Sequence, residues 1–186
     1  MTEGMDRSTS SRRRKWQLSP WWRKGALVLH AVCGIGWMGA DIALFLLLLN
    51  ARTTTNATEA ISGYTAVSLI VPIAVPPLCL GILLTGLLLG WGTSWGLLRH
   101  WWVFVKLLLS VTMTILVFVG LLPAIHSIPG IAQLATADAV RQRLGALTAQ
   151  LLFPPAVSFG MLATATILSI FKPRGLTPWS RARVQE

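Results

Sequence analysis

The sequence predicts an all-α membrane protein: an up-down antiparallel four-helix transmembrane bundle with both termini in the cytoplasm. Three observations lead to this fold class: four long apolar stretches, a strong bias of cations to one side of them, and short connections. Of 186 residues, 54% are hydrophobic and 12% are charged, whereas about 25% of the residues of an average soluble domain are charged. The composition therefore excludes a soluble globular domain.

Each apolar stretch is long enough to cross a bilayer, because a helix of about 20 apolar residues covers a hydrocarbon core of about 30 Å. Within these stretches the acidic and basic side chains are Asp41, Lys106 and His30. A basic, disordered or interfacial tail (1–20) precedes the transmembrane domain (21–172), and a basic tail (173–186) follows it. The predicted spans are 25–50, 66–91, 101–125 and 144–171.

The distribution of positive charge predicts the orientation. Twelve Lys and Arg residues lie in the two tails and the second connection, against three in the first and third connections. By the positive-inside rule, both termini lie in the cytoplasm, and the expected location is the plasma (inner) membrane. The net charge of +10 lies beside the spans, so the expected contacts are anionic inner-leaflet headgroups rather than nucleic acid. The sequence leaves open whether the chain binds a membrane protein partner or forms a homo-oligomer.

The connections are predicted to be short, which favours antiparallel neighbours. The first is a Thr-rich segment over residues 51–65, and the third covers residues 127–143.

Asp41 and two proline pairs are predicted to share one depth in the outer leaflet. At 1.5 Å per residue, Asp41, Pro76-Pro77 and Pro154-Pro155 all lie about 8 to 10 residues from the outer ends of their spans. Each proline frees the carbonyl four residues earlier, which is that of Gln150 for Pro154. An outer cavity containing water, Asp41 and Gln150 would satisfy these groups. The alternative is a protonated Asp41 that hydrogen-bonds across helices.

A second set of polar residues is predicted nearer the cytoplasm. His30 and Lys106 each lie about 5 residues into their spans, or about 8 Å below the inner boundary. His30, Gly34, Trp37 and Asp41 have helical spacing, so one face of span one is predicted to look into the bundle. The candidate ligand-binding residues are therefore His30, Trp37, Asp41, Lys106 and Gln150. The alternative to ligand binding is a structural role for each residue: Lys106 would extend to the headgroups, and His30 would form a hydrogen bond inside the bundle.

Metal binding and catalysis have less support in the sequence. His30, Cys33 and Cys79 are candidates for a soft-metal site, and small apolar packing is the alternative for both cysteines. The sequence contains no phosphate-binding loop, no zinc-protease motif and no nucleophile elbow. No catalytic residue is predicted, and the chain is expected not to be an enzyme.

Three segments resemble a large group of bacterial four-helix membrane proteins of the DUF2269 type, whose activity is not established. They are LHAVCGIGWMGAD (29–41), TSWGLLRHWWVFVK (93–106) and FKPRGLTP (171–178). A fainter resemblance rests on the His–Trp–Gly pattern of span one and on Trp102-x-x-x-Lys106-Leu-Leu-Leu. These are similar to copper-resistance-D-like proteins and to the HemJ-like membrane protoporphyrinogen oxidases. The latter resemblance implies that His30 and Lys106 match a His and a Lys that act with haem.

The sequence thus predicts a non-enzymatic binding or accessory component of the membrane. Two alternatives stay open. One is a haem-, porphyrin- or copper-handling protein that uses His30 and Lys106, with haem or copper as its cofactor. The other is a small permease with Asp41 in an outward cavity.

Overall fold

The computed structural model of the chain describes residues 19–92, 97, 100–126, 137–173 and 177. Its regular structure is helical, which confirms the all-α class for this part of the chain. Helix α3 consists of an α-helical segment Trp101–Ile115, a π-helical segment Leu116–Leu121 and a last turn Leu122–His126. The four helices are α1 (Pro20–Thr53), α2 (Ala57–Gly92), α3 (Trp101–His126) and α4 (Ala137–Phe171).

The prediction of four helices able to cross a membrane is confirmed by length and composition. In α4 the part that qualifies is Gln150–Phe171, and mean hydropathy in the four helices lies between 1.7 and 2.4. Large apolar side chains cover the outside of the molecule, among them Ile35 (72% exposed), Val119 (73%) and Phe171 (77%). A continuous apolar exterior of this kind suits lipid tails better than water.

The first connection is much shorter than predicted. The prediction of a Thr-rich loop over residues 51–65 is correct only for residues 54–56, because α1 continues to Thr53 and α2 begins at Ala57. Asn56 caps α2, because its Oδ1 accepts from the Thr58 backbone N–H (2.9 Å). The Thr54 hydroxyl, in the connection, donates to Glu59 in the first turn of α2 (2.7 Å).

Helices α1 and α2 pack closely and run antiparallel. Gly63 lies against Ala51, and Gly81 lies against Cys33, so residue numbers rise on one helix as they fall on the other. A Cβ atom built on Gly63 would stand 2.9 Å from the Cβ of Ala51. Small residues at the seam allow this close approach of two helices.

Prolines do not interrupt α2 or α4, which continue through Pro72, Pro76 and Pro77 and through Pro154 and Pro155. The irregular helix is α3. Pro123 follows its π-helical segment and lacks the N–H that would bond to the Val119 carbonyl. Leu122 N–H instead bonds five residues back, to the Val117 carbonyl.

Candidate functional site

A cavity of about 290 Å³ lies between the four helices, in the half of the molecule nearer the α1–α2 connection. We call it the Asp41 cavity. Side chains from α2 and α3, such as Val71, Val75 and Val117, make its walls largely apolar. Its polar lining groups are Asp41, Trp37, Gln150 and Ser158.

Asp41 is held at the wall of this cavity by two hydrogen bonds. The Ser158 hydroxyl of α4 donates to the Asp41 carboxylate, and the Trp37 side chain forms a second bond from one turn earlier on α1. Asp41 is 4% exposed and Trp37 is 2% exposed. The carboxyl group is therefore buried and positioned across the α1–α4 interface.

The predicted cavity residues come together only in part. Gln150 and the Pro154–Pro155 pair line the cavity beside Asp41, but Pro76 and Pro77 do not. The reason is rotation about the helix axis, because each residue turns an α-helix by about 100°. The α2 stripe that faces inward has four-residue spacing and consists of Val67, Val71, Val75 and Cys79.

The cavity opens sideways between α3 and α4. Its lining residues on α1 and α2 are all buried. On the other two helices, Leu116 is 51% exposed, Phe153 is 69% exposed and Gly120 is exposed. The mouth therefore faces the apolar exterior of the molecule.

The π-helical segment forms much of the α3 wall at this mouth. Leu116, Val117, Gly120 and Leu121 all line the cavity, and all belong to the segment Leu116–Leu121. A π-helical turn is wider than an α-helical turn, and such turns are frequent at functional sites. Gly120 contributes no side chain here, and a Cβ atom built on it would meet nothing within 4 Å.

A second polar site, which we call the His30–Lys106 cluster, lies 11 residues before Asp41 along α1, or about 16 Å away. His30 Nδ1 lies 2.8 Å from Thr85 Oγ1 of α2. The Thr85 hydroxyl itself donates to the Gly81 carbonyl at 2.5 Å. Because a hydroxyl has one proton and that of Thr85 goes to the Gly81 carbonyl, Thr85 Oγ1 accepts from the Nδ1–H group of His30.

Lys106 points into the same cluster from α3. Its Nζ donates to Ser169 Oγ of α4 at 2.5 Å and lies 5.9 Å from the centroid of the Trp102 ring. Lys106 is close enough to His30 for its charge to act on the imidazole. The structure thus brings His30 and Lys106 together, and their use by a ligand stays a prediction.

The two cysteines are free and buried. Cys79 Sγ bonds to Thr114 Oγ1 at 3.2 Å, and Cys33 packs against Gly81. Within the described ranges, no group of three or more His, Cys, Asp or Glu side chains is placed to hold a metal ion. His30, Cys33 and Cys79 accordingly do not form such a group.

The hydroxyl partners Ser158, Thr85 and Ser169 were not predicted from the sequence. A Ser or Thr in a helix can satisfy itself by bonding to the carbonyl four residues earlier, as Thr164 does with Gly160. One signal was available for Ser158. It follows Gln150 by eight residues and Pro154 by four, which places the three on one helical face.

Searches against protein-family models, curated proteins and solved structures found no match to this chain. The resemblance to DUF2269-type, copper-resistance-D-like and HemJ-like proteins therefore stays a prediction.

Proposed function

We propose that this chain is a multi-pass membrane protein that binds a small, mainly apolar molecule in the Asp41 cavity. The observation that carries the proposal is the cavity itself: about 290 Å³, with apolar walls and with the carboxyl group of Asp41 beside its two partners Trp37 and Ser158. Small-molecule sites have this composition, and their volumes begin at about 300 Å³. The polar groups would orient the ligand, and the apolar walls would supply most of the binding free energy.

The arrangement of polar groups supports binding rather than catalysis. Asp41 contacts a hydroxyl and an indole, and among the described lining residues no His or Lys accompanies the Ser158 hydroxyl to act as a base for catalysis. A permease would need the cavity to open toward both aqueous sides, whereas the exposed part of its lining faces outward between α3 and α4. A binding or accessory role therefore remains the better supported of the two.

We further propose an up-down antiparallel bundle with both termini in the cytoplasm. The three-residue connection between α1 and α2 supports antiparallel neighbours, and the excess of cations in the tails supports the orientation. In this arrangement the Asp41 cavity lies in the outer leaflet and the His30–Lys106 cluster lies in the inner leaflet.

Thermal unfolding of the purified protein in a non-ionic detergent tests the binding proposal. A ligand that binds only the folded state raises the unfolding temperature, so pentylbenzene is expected to raise the Tm of the wild type. Gly120→Leu should abolish this shift, because the new side chain would occupy the mouth of the cavity where space is open.

Gly160→Leu is the matched control. Gly160 is also exposed, also has nothing within 4 Å of a built Cβ atom, and does not line the cavity. The Tm shift with pentylbenzene should persist in this variant. Equal shifts in the two variants would overturn the proposal, as would a wild type whose Tm is raised neither by pentylbenzene nor by an amine of the same shape.

A further inference from the structure

We infer that the ligand of the Asp41 cavity is a lipophilic amine, bound as its ammonium ion to the Asp41 carboxylate and entering from the bilayer. This inference rests on the proposed function, and it adds the chemical class of the ligand and its route.

The side chains that contact the Asp41 carboxyl group are hydrogen-bond donors. The Trp37 indole N–H can only donate, and the Ser158 hydroxyl also donates to Asp41. Two donors aimed at one carboxyl group suit its anionic form. An ionised carboxylate accepts about four hydrogen bonds, so acceptor capacity remains for a group inside the cavity.

Among the residues described by the structure, the cavity lining contains no Lys, Arg or His. A buried carboxylate without a counter-ion is strongly unfavourable, and pairing with a cation offsets that cost. An ammonium ion of the ligand would supply the charge that the described part of the chain does not.

The Trp37 side chain lines the same cavity and is hydrogen-bonded to Asp41. An indole ring next to a carboxylate is a favourable surface for an organic cation, because the ring face attracts positive charge. A metal ion is less suitable, because Ca²⁺ takes 6–8 oxygen ligands and these walls are mostly apolar.

The volume of the cavity and the position of its mouth limit what the rest of the ligand can be. The cavity volume of about 290 Å³ leaves room for an apolar body such as a phenyl ring with a short chain. The exposed residues Leu116 and Phe153 place the mouth on the apolar exterior. A ligand dissolved in the bilayer would therefore reach Asp41 without crossing water.

The test compares 4-phenylbutylamine with pentylbenzene, which has the same shape and replaces the amine by a methyl group. Tm is measured against free ligand concentration in dodecyl maltoside, for the wild type and for Asp41→Asn. Asp41→Asn should raise the concentration of amine needed for half the maximal shift by at least about tenfold. For pentylbenzene, the concentration that gives half the maximal shift should differ by less than about twofold between Asp41→Asn and the wild type.

A second probe keeps the test decisive if Asp41→Asn does not fold. N-(4-phenylbutyl)acetamide forms hydrogen bonds but is neutral. In the wild type, the concentration of this acetamide that gives half the maximal Tm shift should be at least about tenfold higher than that of the amine. Equal responses to the amine and the acetamide, or an amine response unchanged by Asp41→Asn, would overturn the inference and leave the proposed function standing. A wild type that responds to none of the probes would overturn both.

Discussion

At the scale of single residues, each of the three ionisable side chains predicted inside the spans meets a hydroxyl group from another helix. Asp41 is paired with Ser158, His30 with Thr85 and Lys106 with Ser169. A hydroxyl can donate to a carboxylate and can accept from an ammonium or imidazole N–H. Each of the three groups thus has a hydrogen-bond partner on another helix, but the Asp41 carboxylate has no counter-ion among the described lining residues of its cavity.

The ionisable members of these pairs were predictable and the hydroxyls were not. Asp41, His30 and Lys106 stand out because charge is rare in an apolar stretch. Serine and threonine are common in membrane helices, and many satisfy their own backbone, as Thr166 does with Leu162. The sequence therefore predicted where polar sites occur, and their geometry required the structure.

The Asp41–Ser158 bond leads to a prediction about stability. Ser158→Ala removes the hydroxyl that donates to Asp41, and we expect the free energy of unfolding to fall by about 0.6 to 1.7 kcal/mol. Reversible unfolding in mixed micelles with increasing dodecyl sulfate would measure this. Thr164→Ala, on the same helix, removes an exposed hydroxyl whose described bond is to its own helix and should change stability by less than about 0.5 kcal/mol. Equal losses in the two variants would contradict a special role for Ser158.

At the scale of elements, the length of the apolar stretches and the helical spacing of polar residues on span one were the reliable signals. The predicted inward face of α1 is correct at Trp37 and Asp41, which are both buried. Helix ends were less predictable: threonines at residues 53–55 suggested a loop, but hydrogen bonds such as that of Thr53 Oγ1 to the Leu49 carbonyl (2.9 Å) accommodate them at a helix end. The π-helical segment depends on where α3 packs and on Pro123, and no local pattern indicated it.

The seam between α1 and α2 gives a prediction at this scale. Gly63→Ala places a methyl group 2.9 Å from the Cβ of Ala51, so the two helices must move apart. We expect a loss of about 1 to 3 kcal/mol in the free energy of unfolding, as in other overpacked interiors. Gly39→Ala is the control on α1, since a Cβ atom there meets nothing within 4 Å; it should be neutral or stabilising by up to about 1 kcal/mol. A Gly63→Ala variant as stable as Gly39→Ala would show that the seam is not tightly packed.

At the scale of the whole molecule, two polar sites of different character lie at different depths in one apolar bundle. The Asp41 cavity offers a carboxylate, and the His30–Lys106 cluster offers basic groups, about 16 Å away along α1. The cavity lies nearer the α1–α2 connection, and the cluster lies nearer the start of α1. Which leaflet supplies the ligand therefore depends on the orientation of the chain.

Cysteine labelling provides the test of orientation. Cys33 and Cys79 are buried in the bundle and can be replaced by Ser and Ala, respectively, to give a background without thiols. In that background Thr55→Cys, in the exposed α1–α2 connection, should react with a membrane-impermeant maleimide in intact cells. Ser10→Cys, in the basic tail, should react only after lysis, because the positive-inside rule predicts that the tail with the excess of cations lies in the cytoplasm.

The reverse pattern of labelling would invert the bundle and would move the Asp41 cavity to the cytoplasmic leaflet. The ligand proposal would survive such an inversion, because the lateral mouth between α3 and α4 opens toward the bilayer in either orientation. What would change is the source of the ligand: the outer leaflet would no longer supply it, and amines dissolved in the inner leaflet would reach Asp41 instead. Labelling thus decides which leaflet the cavity samples, and the Tm measurements decide what it binds.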